Sequence, residues 1–478
     1  MPGINSFKRG RMKSAWKLVI LVFSLSALLS ACAESTNPTP VSTGKWTWVS
    51  GSNTVDQAGI YGTQGTAAPS NVPGGRLAPV SWLDSQGNLW LFGGGYEAYS
   101  AGGNLNDLWK YDPTTLEWTW VSGSDTINQA GIYGTKGTAA PSNVPGARSY
   151  AVSWLDSQGN LWLFGGEGYN SAGKVGFLND LWKYDPTTLE WTWVSGSNTT
   201  NQRGTYGTQG TAAPANIPGG RETVVSWLDS QGNLWLFGGD GLDSAGNIGF
   251  LNDLWKYDPT TLEWTWVSGS SSVDQAGTYG TQGTAAPSNV PGARETAVSW
   301  IDSSGKLWLF GGDAYDSAGN HGLLNDLWKY DPATLEWTWV SGSNTANQAG
   351  TYGTQGTAAP SNIPGAREFA VSWIDSSGKL WLFGGSGYNT AGNHGLLNDL
   401  WKYDPATLEW TWVSGSNTRY QAGIYGTQGT GAPSNVPGAR EMAVCWIDSS
   451  GKLWLFGGHG YDSTGTGGAL NDLWQYTR

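Results

Sequence analysis

The tetrapeptide Trp-Thr-Trp-Val begins at Trp46, Trp118, Trp191, Trp264, Trp337 and Trp410, a spacing of 72 and then 73 residues. A motif that returns at a fixed period marks one building block used again and again, because each copy carries the same local instructions. Within a unit, four short apolar segments stand out; in the fourth they cover 296–301, 307–310, 327–330 and 337–340. Each has the length of a strand and none reaches that of a helix. The first two are joined by Asp302-Ser303-Ser304-Gly305-Lys306, where Asp opens a turn and Gly accepts the positive φ of a tight hairpin. The last two are joined through Asp331 and Pro332, and the fixed φ of Pro suits a turn. With 72 Gly, 31 Trp and 13% charged residues, the chain lacks the composition of a helical protein.

Four antiparallel strands per unit is the pattern of a propeller blade. Leu-Trp-Leu-Phe-Gly-Gly at 307–312, Asn-Asp-Leu-Trp-Lys-Tyr-Asp at 325–331 and Trp337 resemble, in that order, the signature of the kelch repeat, and the match recurs six times. The resemblance implies an all-β, six-bladed kelch-type β-propeller over residues 45–478. The period exceeds the usual kelch length of about 50, and the excess falls in two long connections, 312–324 and 341–366 in the fourth unit. The chain opens on a fourth-strand segment, 46–49, and ends on a third-strand segment, 473–476. The N-terminal strand is therefore expected to complete the last blade, which removes sheet edges that would invite aggregation. Five Trp per repeat account for thirty of the 31, with Trp16 outside the repeats, so these rings read as packing between blades.

The start of the chain differs. Lys8, Arg9, Arg11, Lys13 and Lys17 precede an apolar run at 18–29, too short to span a bilayer and patterned as an export signal. Leu29-Ser30-Ala31-Cys32 resembles the lipobox of bacterial lipoproteins. That resemblance implies a signal peptide over 1–31, lipidation of Cys32, and a membrane anchor with a flexible tether over 32–44. Ala33 after the Cys implies sorting to the outer membrane of a Gram-negative cell; Met12 offers a second possible start. Loss of the signal's five positive and no negative charges takes the net charge from −12 to −17, which argues against nucleic acid as a partner. Cys445 then has no disulfide partner.

In such a blade both long connections emerge on one face, where binding is expected. Pro-Gly-Ala/Gly-Arg before each first strand supplies Arg76, Arg148, Arg221, Arg294, Arg367 and Arg440, followed in four units by Glu222, Glu295, Glu368 and Glu441; Leu77 and Ser149 take that place in the first two. Placed at the channel mouth, these charges read either as a funnel gripping carboxylates or sugar hydroxyls, or as Arg–Glu pairs between neighbouring blades. The loop tyrosines Tyr61, Tyr133, Tyr206, Tyr279, Tyr352 and Tyr425 lie among Gly, Thr and Gln; they suit sugar or peptide recognition, or packing of loop on loop. The partner expected on these grounds is a polysaccharide or an envelope or cell-surface protein, met by a monomer. Asp316-Ser317-Ala318-Gly319-Asn320 could hold Ca²⁺ but lacks an EF-hand's acidic ladder, and an Asx turn is the simpler reading. No cofactor is otherwise expected.

Two enzymes share this propeller class, a copper-dependent galactose oxidase and a sialic acid mutarotase. His321, His394 and His459 fall between second and third strands of successive units, too far from the axis to share a metal. Cys445 takes the place of Ser81, Ser153, Ser226, Ser299 and Ser372 and reads as a buried small residue. A mutarotase needs only carboxylates in the funnel. The near-identical repetition of the Glu residues argues against it, since a catalytic acid normally has an environment of its own. Binding is thus favoured over catalysis.

Overall fold

The computed structural model describes residues 44–96 and 102–477. Signal peptide, Cys32 and nearly all of the tether fall outside them. The described residues form an all-β propeller in which each repeat builds one four-stranded antiparallel sheet. In the fourth repeat the strands are Val298–Ile301, Leu307–Tyr315, His321–Asp331 and Glu336–Ser341, paired in that order. The first strand of every sheet touches those of its two neighbours, and the cycle closes where Val80–Leu83 meets Val444–Ile447. Lys45–Ser50 pairs with Gly467–Thr477 in the register Trp46↔Tyr476 and Trp48↔Trp474, so the two ends of the chain complete the sixth sheet together.

Packing follows from the repeat. Each strand alternates its side chains, and both sheet faces are covered, so both alternating sets are apolar. One core cluster joins Trp227, Trp235 and Phe237 of the third sheet to Leu307, Leu309, Trp328, Tyr330 and Trp337 of the fourth, with Phe237 and Trp337 ring centroids 5.3 Å apart. Every such cluster lies between two sheets, so each sheet buries its apolar faces against its neighbours.

The two long connections have different structures. The one between second and third strands is shorter than expected, because pairing resumes beyond a bulge and runs to Tyr315↔His321, leaving only 316–320 as a turn. Gly311 and Gly312 make the bulge at φ 66 and 95; a Cβ on Gly312 would lie 2.4 Å from the Glu295 carbonyl oxygen, which only glycine avoids. The connection from fourth to first strand reaches outward instead. Gly283 donates to the Trp339 carbonyl at 2.7 Å and Ala286 to that of Trp337 at 3.4 Å, covering the outer edge of the next sheet. It also meets the hairpin tip, with Ser244 N donating to Ser271 O at 3.1 Å and Gly277 N to Asp316 O at 3.2 Å. Both connections thus gather at one end of the propeller.

Candidate functional site

The six arginines do not line the channel mouth. Each is buried, with its guanidinium closed on an Asp of its own sheet: Arg76 on Asp107, Arg148 on Asp180, Arg221 on Asp253, Arg294 on Asp326, Arg367 on Asp399 and Arg440 on Asp472. In the fourth sheet Arg294 Nη1 and Nη2 each donate to Asp326 at 2.8 Å, Nη1 also to Gly311 O at 2.8 Å, and Nε to Gly292 O at 3.1 Å. Burial disfavours this charge, yet the adjacent carboxylate outweighs it and holds Arg294 above its ordinary range.

The loop tyrosines belong to the same nodes. Tyr279 donates to Asp326 Oδ2 at 2.6 Å, as does Trp328 Nε1. Tyr61, Tyr133, Tyr206, Tyr352 and Tyr425 make the same bond to Asp107, Asp180, Asp253, Asp399 and Asp472. Burial and the neighbouring Asp push the Tyr279 phenol well up. The expected ligand-binding role of the Arg and Tyr sets is therefore corrected: their polar atoms satisfy one buried carboxylate per sheet and offer nothing to a solute. Arg–Glu pairing is corrected with it. The Asp partners carry a sequence signal of their own: an acid two residues before Trp in an otherwise apolar strand must find a countercharge.

The four Glu lie apart from these nodes, each directly before a residue that lines the axial cavity. Each follows its Arg on a short strand paired with the hairpin beyond the glycine bulge, in the registers Glu222↔Asp240, Glu295↔Asp313, Glu368↔Ser386 and Glu441↔His459. In the second sheet the same register sets Ser149 against Glu167. Burial, then Glu167, Glu295 and Asp240, raise the Glu222 carboxyl to about 8. Burial, opposed by a hydrogen bond from Thr223, leaves Glu295 at about 7. Burial, then Asp313, Glu441 and Glu295, carry Glu368 to about 8.

The surroundings of the four are not equivalent. Glu295 Oε2 accepts from the Thr223 hydroxyl at 2.6 Å, and Glu368 Oε2 from Thr296 at 3.4 Å. His459 Nδ1 lies 3.5 Å from Glu441 Oε1, whereas Glu222 Oε2 is buried with no hydrogen-bond partner among the described residues. Repetition in sequence did not produce identical sites.

Just inside this collar the next residue of each repeat, Ala78, Tyr150, Thr223, Thr296, Phe369 or Met442, has φ between 45 and 58. Their backbones form a closed circuit in which each N–H donates to the carbonyl of the preceding sheet's residue at 3.0–3.2 Å, and Ala78 to Met442. Left-handed geometry costs a non-glycine residue about 1–2 kcal/mol, and the circuit's hydrogen bonds offset that cost. Such positions concentrate where side chains must be aimed.

The other candidates resolve simply. Asp316 Oδ1 accepts from Ala318 N and Asn320 N at 2.8 and 2.9 Å, an Asx turn. The histidines lie on paired strands rather than in loops: His321 opens a third strand beside Asp313, at 3.1 Å, and His394 Nε2 sits 3.2 Å from Ser386 Oγ. Among the described residues no group of three His, Cys, Asp or Glu is arranged to hold a metal. Cys445 Sγ donates to Ser372 O at 3.4 Å, and burial pushes the thiol up to about 12.

No family model matches the chain. Curated proteins do. The likeness is to N-acetylneuraminate epimerases. Those of Escherichia coli O139:H28 (strain E24377A / ETEC), Escherichia coli (strain K12) and Shigella flexneri are each 27% identical over 190 residues, covering 36% of this chain and 44% of the relative. The chain thus spans less than half the length of the curated relatives it matches.

Proposed function

We propose that this chain is an exported, lipid-anchored propeller that binds a saccharide at the channel mouth and exchanges its anomers by proton transfer. The observation that carries this reading is the set of Glu222, Glu295 and Glu368 on successive sheets, raised to about 8, 7 and 8. At neutral pH such a set holds both protonated and ionised carboxyls, as concerted acid–base work requires. The protonated member donates to the ring oxygen while an ionised neighbour takes the proton of the anomeric hydroxyl. The bond between anomeric carbon and ring oxygen breaks, leaving a carbonyl and a chain hydroxyl. Rotation about the adjacent carbon–carbon bond and the reverse transfers close the ring with either configuration. The likeness to N-acetylneuraminate epimerases supports chemistry of this class. Recognition of a polysaccharide or envelope protein through the loop tyrosines loses support, since those rings are occupied in the Asp nodes. Exchange spectroscopy on equilibrating sugars, with and without the protein, tests the reading. Acceleration should fall at least 100-fold in Glu295→Gln, and an undiminished rate in that variant refutes it.

A further inference from the structure

Resting on that reading, we propose that the axial cavity takes a neutral pyranose, with the sugar's apolar face against Tyr150, Phe369 and Met442 and its hydroxyl edge toward Thr223 and Thr296, which Glu295 and Glu368 back. The axial circuit is the argument. Before it each repeat has Arg, and two residues after it each has Val; the circuit position itself reads Ala, Tyr, Thr, Thr, Phe, Met. The circuit position is thus the most varied of the five from that Arg to that Val, and it lies where all six sheets converge.

The variation is sorted by side. Tyr150 and Phe369 come from the second and fifth sheets, opposite each other in a ring of six, and their centroids are 5.9 Å apart. Tyr150 also donates its hydroxyl to Met442 Sδ at 3.4 Å. These three side chains meet across the axis and make one apolar surface. The third and fourth sheets instead supply Thr223 and Thr296, whose hydroxyls face Glu295 and Glu368. An axial cavity of about 160 Å³ is lined by Tyr150, Phe369 and Met442 together with Thr223, Thr296 and small apolar residues. A cup with Tyr150, Phe369 and Met442 on one side and the hydroxyls of Thr223 and Thr296, each bonded to a Glu, on the other matches a pyranose, which carries C–H bonds on one face and hydroxyls on its edge.

Charge decides between neutral and anionic sugars. The six arginines that the repeats set beside the circuit, one each, are all spent on buried Asp. The groups left near the mouth are mainly carboxyls, and the histidines beside them face Asp313 and Glu441. None of those six arginines is left to meet an anion's carboxylate, and whichever carboxyls are ionised oppose its entry, so this cup differs in charge preference from what N-acetylneuraminate would require.

The test titrates the purified protein at pH 7 with glucose, galactose and N-acetylglucosamine, and separately with glucuronate and N-acetylneuraminate, following binding by calorimetry and anomer exchange by NMR. At least one neutral sugar should bind at least 10-fold tighter than both anions. Phe369→Ala should weaken it about 10-fold, while Phe369→Tyr, which keeps the ring, should not. Both substituents already occupy this position in other repeats, at Ala78 and Tyr150, so the fold should accept them. Tighter binding of an anion overturns the inference, as does neutral-sugar binding that Phe369→Ala leaves unchanged; the proposed chemistry survives either result. Failure of the unsubstituted protein to bind or exchange any of the five sugars overturns both.

Discussion

Replacing Glu222 with Gln should stabilise the propeller, and only at neutral and alkaline pH. The side chain is raised from its ordinary 4.5 to about 8 by burial and by Glu167, Glu295 and Asp240. Below about pH 4.5 it is protonated in folded and unfolded chains alike, and contributes nothing. As pH rises, the unfolded chain loses this proton while the folded chain keeps it, so stability falls until pH passes about 8. At about 1.4 kcal/mol per tenfold change the ceiling on this loss is about 5 kcal/mol; solvent at the open side of the mouth screens it to about 2–3 kcal/mol. Gln has the shape of the protonated acid and never pays this penalty. Urea denaturation of both proteins from pH 4.5 to 9 should show curves that coincide at the acid end and separate by about 2–3 kcal/mol at pH 8.5. A gap that is flat across pH, or of opposite sign, refutes the assignment of Glu222 as a desolvated acid and with it the acid–base set.

The Asp nodes and the chain closure make two further predictions. Asp326→Ala leaves the Arg294 charge and the donors of Tyr279 and Trp328 buried without their acceptor, and should cost about 5 kcal/mol in urea denaturation; a loss below about 1 kcal/mol would mean the node is not the buried polar core described. Trp46, 2% exposed and 5.4 Å from Phe383, packs the strand that joins the two chain ends. Trp46→Ala should cost about 4 kcal/mol and speed amide exchange in Gly467–Thr477 beyond any rise that Trp264→Ala causes in its own partner strand, Leu254–Asp258.

Where the structure differs from the sequence expectation, the cause is an interaction between segments far apart in the chain. Arg294 and Tyr279 look like surface chemistry because they sit among Pro, Gly and Thr in connections, and polar residues in connections are usually wet. Their acceptor lies 32 and 47 residues away, a distance at which no local pattern speaks. The connection 312–324 differs for another reason. A hairpin that continues past a glycine bulge shows no unbroken alternation, so 312–324 reads as a loop. The Glu positions, by contrast, follow from the local order of the chain, since each stands just ahead of an innermost strand.

By itself, the sequence settled the number of repeats, the four strands in each and the segments that meet at the chain ends, since these depend on short-range pattern and on a period that needs no coordinates. The tertiary structure alone decided which polar groups are consumed and which remain. Burial and field are sums over neighbours contributed by different repeats, so four like glutamates acquire four environments, and six residues spaced 72 or 73 apart become one surface on the axis.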